Sequence, residues 1–375
     1  MTLVWESDPA QPGGPRTHVL LIGVGHYRHM PGGAEERAER DFTVDQVDSP
    51  PLSAQAMVDF LLTEYGHPTA PLGSVEVVAS EQPGPVVVAG VPVAAATRSG
   101  VRTAYQAWRA RCDTDPGNVA IFYFCGHGVA LDNHYLLLED VGAYPGAPLE
   151  NSIDLIRFYR GMTGCPARVQ VFLVDACRDV PRLLVQIPDP QAERLADYRV
   201  NSPGGRDAPI LRATADKKEA VAPRGEITRF THALLRGLRG IAATRTAPGG
   251  ADWVVQFRDL AEKVRLQLQA DGHGQECRIG GDGFDPTVAR LTRTPVVPLA
   301  VTVVPDTVAE LRLGLPSGEA TPYRREPGLG RWSVDVPAGT YVLEARFARP
   351  DIVMEEQGPL EVAPPNRDVS VAVRW

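Results

Sequence analysis

The first patterned stretch of the chain, HVLLIGVGHY (18–27), is a continuous apolar run of strand length bounded by polar, Pro and Gly residues. Such a run reads as a strand buried on both faces. At 51–66, Ala56, Phe60 and Leu61 recur at helical spacing between a serine near the start and Gly66 at the end, which predicts a capped helix. SVEVVAS (74–80) predicts a strand, 97–112 an amphipathic helix and NVAIFYFCG (118–126) a central strand. A further helix at 151–162 and a buried strand at 167–175, ARVQVFLVD, continue the series. Strands alternating with helices at this spacing imply right-handed crossovers and an α/β fold with a mostly parallel sheet covered by helices on both faces.

Residues 180–208 are rich in Pro, Gly and charge and carry no sustained period, which predicts a long surface loop. The α/β pattern resumes at 209–222, with helices at 227–241 and 255–269 ahead of the Gly-rich GHGQECRIGGDGFDP. From about residue 295 the texture changes to short alternating segments separated by Pro and Gly, the pattern of a small C-terminal antiparallel β-sandwich. A chain of 375 residues accommodates this split into a first domain at 1–290 and a second at 295–375.

The net charge of -8 and pI near 5.6 argue against nucleic acid or an anionic membrane as a partner, because phosphate binding needs a basic face. The opening residues show no basic start followed by an apolar core, and no stretch reaches the roughly 18 apolar residues of a spanning helix, so a cytoplasmic protein is expected. Five cysteines, Cys112, Cys125, Cys165, Cys177 and Cys277, form an odd, sparse set with no CxxC pair, which suits a reducing compartment.

Two of the buried strands end abruptly on reactive residue types. IFYFCGHG runs into His127 between two glycines, and VFLVDACRD ends on Asp175, Cys177 and Arg178. In an open parallel sheet, ligands bind beyond the carboxyl ends of the strands, so His127 and Cys177 are expected to emerge side by side. A cysteine attacks as its thiolate, and a neighbouring imidazole supplies the base and later protonates the leaving amine. Gly126 and Gly128 keep the histidine loop free of bulk, and the backbone N–H groups of Gly128 and Cys177 are candidates for an oxyanion hole. Each residue alone has a plainer reading: a buried strand often ends in an inert cysteine, and Asp175 suits a turn cap or a pair with Arg178. Arg178 and Asp179 are read as structural. The chemical reading rests on the constellation.

FYFCGHG and VDACRD, fifty residues apart, resemble the His-Gly and Cys motifs of the caspase-like cysteine peptidases, a clan that includes caspases, metacaspases and paracaspases. The resemblance covers roughly residues 17–242, with LLIGVGHY similar to the first strand and FTHALLRGL to the helix after the small-subunit strand. It implies a protease with His127 as general base and Cys177 as nucleophile, acting on a protein or peptide substrate. Relatives that cut after Arg or Lys carry Asp two residues before the nucleophile, the position of Asp175, and a carboxylate there suits a cationic side chain. RATADKKEAVA is similar to the strand that contributes a second pocket acid, which falls on Glu219. PLSAQAM departs from the pattern, offering Ser53 and Ala54 where those relatives carry another acid, and Cys125 stands where they commonly have serine. Calcium enters as a candidate cofactor through the metacaspases, although no calcium site can be placed from spacing.

Family members are often nicked between their large and small portions, which makes Arg199 and Arg206 candidate self-cleavage sites in the 180–208 stretch. VPAGTYVLEARF resembles prealbumin-like or PEGA-like modules that dock, and comparable prokaryotic architectures resemble proteases of antiviral defence or regulated cell death that activate a partner, with a sensor or effector protein as activator. Two rivals stay open: a catalytically silent scaffold, and the same enzyme with small or acidic specificity. Other motifs carry less. GVGHYRHMPGG places Arg28 where a dinucleotide fingerprint needs its third glycine; His26, His29 and His134 lack partners at metal-ligand spacing; and GGDGFDP (280–286) reads as a turn rather than an EF-hand loop.

Overall fold

The computed structural model describes residues 1–8, 13–37, 43–82, 84–144, 146–177, 192–196, 205–215, 225–247, 250, 252–283, 285–349, 351–354 and 359–374. Its centre is a seven-stranded sheet built from β1 (Leu3–Glu6), β2 (Thr17–Val24), β3 (Leu72–Ser80), β4 (Val119–Gly126), and three later strands. A small hairpin sheet joins β5 (Gly128–Ala130), β6 (His134–Leu137) and β7 (Ser152–Asp154). The large sheet is completed by β8 (Val169–Ala176), β9 (Ala208–Ala215) and β10 (Gln275–Asp282). Its order is β1-β3-β2-β4-β8-β9-β10, with the five inner strands parallel and both edges antiparallel.

All eight residues of β2 are buried, and β4 is buried up to Gly126, because helices cover both faces. α1 (Ser49–Thr63), α4 (Arg229–Arg236) and α5 (Phe257–Ala270) pack on one face through Phe60, Phe230, Leu234 and Leu260. α2 (Arg98–Cys112) and α3 (Leu155–Gly161) cover the other, where Trp108 is fully buried and its indole Nε1–H donates to the His18 carbonyl at 2.9 Å.

Local chemistry moved several predicted boundaries. α1 begins earlier than expected, with prolines in its first turn where their missing N–H groups cost nothing, and Gly66 lies beyond its end against the Arg290 carbonyl. The predicted 151–162 helix is divided: Ser152–Asp154 is strand, and Asp154 caps α3 by accepting from the Arg157 N–H at 2.9 Å. The helix predicted over 227–241 starts at Arg229 and after Arg236 continues as a wider π-helical turn over Gly237–Ile241, within which Gly240 at φ +140° kinks the chain.

Two expectations are corrected. GGDGFDP does not begin as a turn: Gly280–Asp282 lie in β10, opposite Ile210, Pro209 and Ala208 of β9. The stretch from 180 to 208 is not a surface loop throughout. Glu193 exchanges backbone hydrogen bonds with β7, its N–H donating to Ser152 O at 2.8 Å and its carbonyl accepting from Asp154 N at 3.0 Å. Its carboxylate also meets Arg98 at 2.8 Å and Arg102 at 2.5 Å. The segment rejoins the sheet at Asp207, whose backbone bonds to Arg168 and Gln170 at the start of the inner strand β8.

After a small sheet that includes Thr287–Arg290, the C-terminal part forms two four-stranded sheets. They comprise β11 (Val296–Val304), β12 (Ala309–Gly314), β13 (Ala320–Gly328), β14 (Trp332–Pro337), β15 (Gly339–Phe347), β16 (Leu360–Val362) and β17 (Arg367–Arg374), with Val353–Met354 at one edge. Alternate residues of β11 and β12, namely Val297, Leu299, Val301, Leu311 and Leu313, are buried and pack with Trp332 and Leu343 into the core of this part. Pairing is antiparallel except for β11 with β17, which run parallel.

His18 on β2 supplies a stability test. Its Nδ1 lies 2.9 Å from Ser74 Oγ, and burial first, then the charge of Arg111, pulls its pKa down to about 4. The unfolded histidine takes up a proton near pH 6.5 that the native one refuses, so stability is complete above that pH and falls as pH drops towards 4, by about 3 kcal/mol. His18→Gln is expected to flatten this slope, as read from urea midpoints between pH 7 and 4.

Candidate active site

β4 and β8 pair in parallel from Val119↔Val169 through Gly126↔Ala176, so the next residues of the two strands are His127 and Cys177. Alternation along each strand puts Tyr123, Cys125 and His127 on one face, and Leu173, Asp175 and Cys177 on the same face, beneath α1 and α4. His127 and Cys177 are both partly exposed at the carboxyl edge of the sheet.

The imidazole of His127 is held from two sides. Its Nε2 lies 2.9 Å from the Asp45 carbonyl, and because a carbonyl only accepts, Nε2 carries a proton, which in the neutral tautomer leaves the lone pair on Nδ1. The His127 backbone N–H donates to Tyr27 Oη at 2.7 Å, and that hydroxyl donates to Val24 O at 3.1 Å. The two rings lie 5.1 Å apart, and burial pushes the Tyr27 phenol well above its ordinary pKa, so it stays a neutral hydroxyl.

Asp45 is placed by its neighbour. Gln46 Oε1 accepts from Tyr27 N at 2.7 Å, while its Nε2 donates to Tyr27 O at 3.0 Å and Pro31 O at 2.9 Å. Tyr27, Asp45 and Gln46 were invisible to pattern reading, since their roles run through backbone groups and contacts that no periodicity marks.

The two glycines answer to close approach. A Cβ on Gly126 would stand 3.0 Å from Tyr27 Oη and 3.2 Å from Val24 Cβ. On Gly128 it would come within 2.7 Å of both the Cys177 carbonyl oxygen and His134 Nε2. Gly128 begins β5 and pairs with Leu136, so its strand end lies beside Cys177.

Asp175, two residues before Cys177 on β8, lies in a cage of hydroxyls. Its Oδ2 accepts from Thr228 Oγ1, from Thr231 Oγ1 at 2.8 Å and from Cys125 Sγ at 3.6 Å. Thr228 is the N-cap of α4 and its N–H donates to Ser53 Oγ at 3.0 Å, so Ser53, at the departure from the expected acid, joins the same cluster. Tyr123 Oη meets Thr231 Oγ1 at 2.7 Å; with the threonine proton committed to Asp175, the tyrosine is the donor. Burial pushes the Asp175 carboxyl up from the ordinary aspartate value, with the hydroxyls acting against that rise. Asp175 thus faces the first turn of α4.

Glu219, Arg178, Asp179 and Arg199 lie outside the described residues. Arg206 does not lie in a loose stretch. Its guanidinium sits 4.3 Å over the Tyr159 ring, donates to Gln170 Oε1 at 3.0 Å and reaches Asp282 at 3.3 Å. Among the described residues no group of three or more His, Cys, Asp or Glu side chains could hold a metal ion. Among the same residues no helix is long and apolar enough to cross a membrane.

A mostly parallel sheet with helices on both faces, carrying a histidine and a cysteine at the ends of adjacent inner strands, defines a caspase-like α/β protein. Residues 16–278 match the family described as "Caspase domain", and the chain belongs to that family. It is also 30% identical over 253 residues to an uncharacterized protein, y4kE, of Sinorhizobium fredii, spanning 64% of this chain and 72% of that relative. Membership implies a caspase-like cysteine peptidase with protein substrates.

Proposed function

We propose that the chain is a cysteine endopeptidase that uses His127 and Cys177 to cut a protein partner after Arg or Lys. The observation that carries the reading is the β4–β8 register, which delivers the two residues to neighbouring strand ends while the Asp45 carbonyl leaves Nδ1 of His127 as the basic nitrogen. In this reading Nδ1 takes the Cys177 thiol proton and Sγ bonds to the substrate carbonyl carbon. The N–H groups of Gly128 and Cys177 hold the resulting oxyanion, and the imidazolium gives its proton to the departing amine. Water, deprotonated by His127, then opens the thioester and releases the acid.

Asp175 serves as the pocket carboxylate, supported by its position below Cys177 on the same face, with Glu219 as a second acid. Self-cleavage is assigned to Arg199, since the anchored Arg206 presents its side chain to Tyr159 and Gln170 rather than to a second active site. The division into a peptidase domain at 1–290 and a docking β-sandwich at 295–375 belongs to the same proposal. A second reading, cleavage after a small residue, is favoured by one observation: Asp175 Oδ2 already accepts from two hydroxyls and a thiol.

The test is a panel of peptides ending in Arg, Lys, Asp or Ala before a fluorogenic leaving group, with and without calcium. Release after Arg and Lys is expected. Release confined to Ala supports the second reading, and silence from the intact and nicked protein alike returns the chain to a binding scaffold.

A further inference from the structure

His134 has no role in the dyad, yet it reaches the nucleophile's own backbone. It is 1% exposed on β6, and its Nε2 lies 3.0 Å from the Cys177 carbonyl oxygen. Since that oxygen can only accept, Nε2 carries the proton and donates. The β5–β6 hairpin creates the contact: Ala130 pairs with His134 and Gly128 with Leu136, which folds the histidine back beside residue 128 seven positions after His127. Gly128 is required there, because a Cβ would come within 2.7 Å of both ends of the hydrogen bond.

We propose that His134 is a positioning residue for Cys177, a role that rests on the peptidase reading above. The β4 ladder ends at Gly126↔Ala176 and the β9 ladder at Arg212↔Val174, so Cys177 is the first residue past both. At such a strand end rotation about the N–Cα bond of Cys177 carries its Cβ and its carbonyl carbon together, so holding the carbonyl group restricts where Sγ can stand relative to His127. The His134 bond turns the carbonyl oxygen towards β6. It thereby engages, with a buried donor, a partial negative charge that stands beside Gly128, where the oxyanion would be received. The ring is buried, so the donor is held without competition from bulk water.

The test compares the full-length wild type with His134→Leu, which removes the donor, and His134→Gln, whose amide nitrogen can reach the place of Nε2. Two readouts are followed: kcat and KM on the Arg peptide, and the pH profile of Cys177 alkylation by iodoacetamide, located by mass spectrometry. His134→Leu is expected to lower kcat at least about tenfold with KM within about threefold, because misplacing the nucleophile affects the chemical step more than binding. It should also shift Cys177 alkylation to higher pH, and His134→Gln should recover most of both losses. A folded His134→Leu with wild-type kcat and alkylation overturns the proposal, as does a His134→Gln as impaired as His134→Leu. If His134→Leu does not fold, His134→Asn replaces it; its shorter amide cannot span the gap, and wild-type behaviour in that variant overturns the proposal equally. Should the wild type cleave no peptide, the peptidase reading fails by itself, and the alkylation profiles still decide whether His134 positions Cys177.

Discussion

Cys177→Ala is expected to reduce hydrolysis of Arg and Lys peptides by about 10⁴-fold or more, to the background of the peptide alone, since no other described group beside His127 is placed to form the thioester. His127→Ala is expected to lose roughly 10³-fold and to regain part of it with rising pH, as solvent takes over deprotonation of the thiol. The other described cysteines are buried, which keeps them from a substrate; burial also raises the thiol pKa of Cys125 and Cys277, whereas that of Cys165 is lowered by its contact with Cys112 but the thiol stays enclosed. The measurement is kcat/KM for each variant beside its circular dichroism spectrum. Turnover that survives Cys177→Ala in a freshly purified sample would place the chemistry elsewhere.

Replacing Asp175 should separate the observed anchoring of α4 from the pocket role proposed for the same carboxylate. Asp175→Ala leaves Thr228, Thr231 and Cys125 without their shared acceptor, and stability is expected to fall by about 2 to 3 kcal/mol in urea unfolding. Asp175→Asn keeps the shape and removes the charge. For that variant kcat/KM on Arg and Lys peptides is expected to drop about 10²-fold while an Ala peptide changes little, because a buried charge-assisted contact discriminates where a neutral one does not. A uniform loss across the panel would assign Asp175 to anchoring α4 alone. pH gives a second view of the same group. Burial raises the Asp175 pKa, so the carboxylate loses its charge at a higher pH than an exposed aspartate would. KM for the Arg peptide should therefore climb on acidification, and Asp175→Asn should abolish that climb.

The inner strands were readable in sequence because burial on both faces leaves uninterrupted apolar runs, as in Val19–Ile22 and Phe122–Phe124. The edges were not. Leu3–Glu6 is short, and Gln275–Asp282 mixes charge with two glycines, as a strand paired on one side tolerates. That His127 and Cys177 follow the ends of adjacent strands was legible from the abrupt close of two apolar runs. Their supports were not: Asp45 acts through its carbonyl, Gln46 through a clamp on residues about 20 positions away, and His134 through a hairpin that only the folded pairing reveals. The hydroxyl cage was hidden for a similar reason. Thr228 and Thr231 look like an ordinary helix start, and only tertiary packing brings Asp175 onto it.

The pinning of Glu193 between β7 and the two arginines of α2 bears on how the molecule would survive a break in its chain. With the linker tacked down partway and β9 zipped between β8 and β10, these fixed points hold the fold on either side of residue 199 without relying on the peptide bonds there. Severing the chain near residue 199 would leave two polypeptides in a single particle, their separation opposed by the buried strand pairing. A maturation cut would then be written into the covalent record without altering the hydrodynamic size.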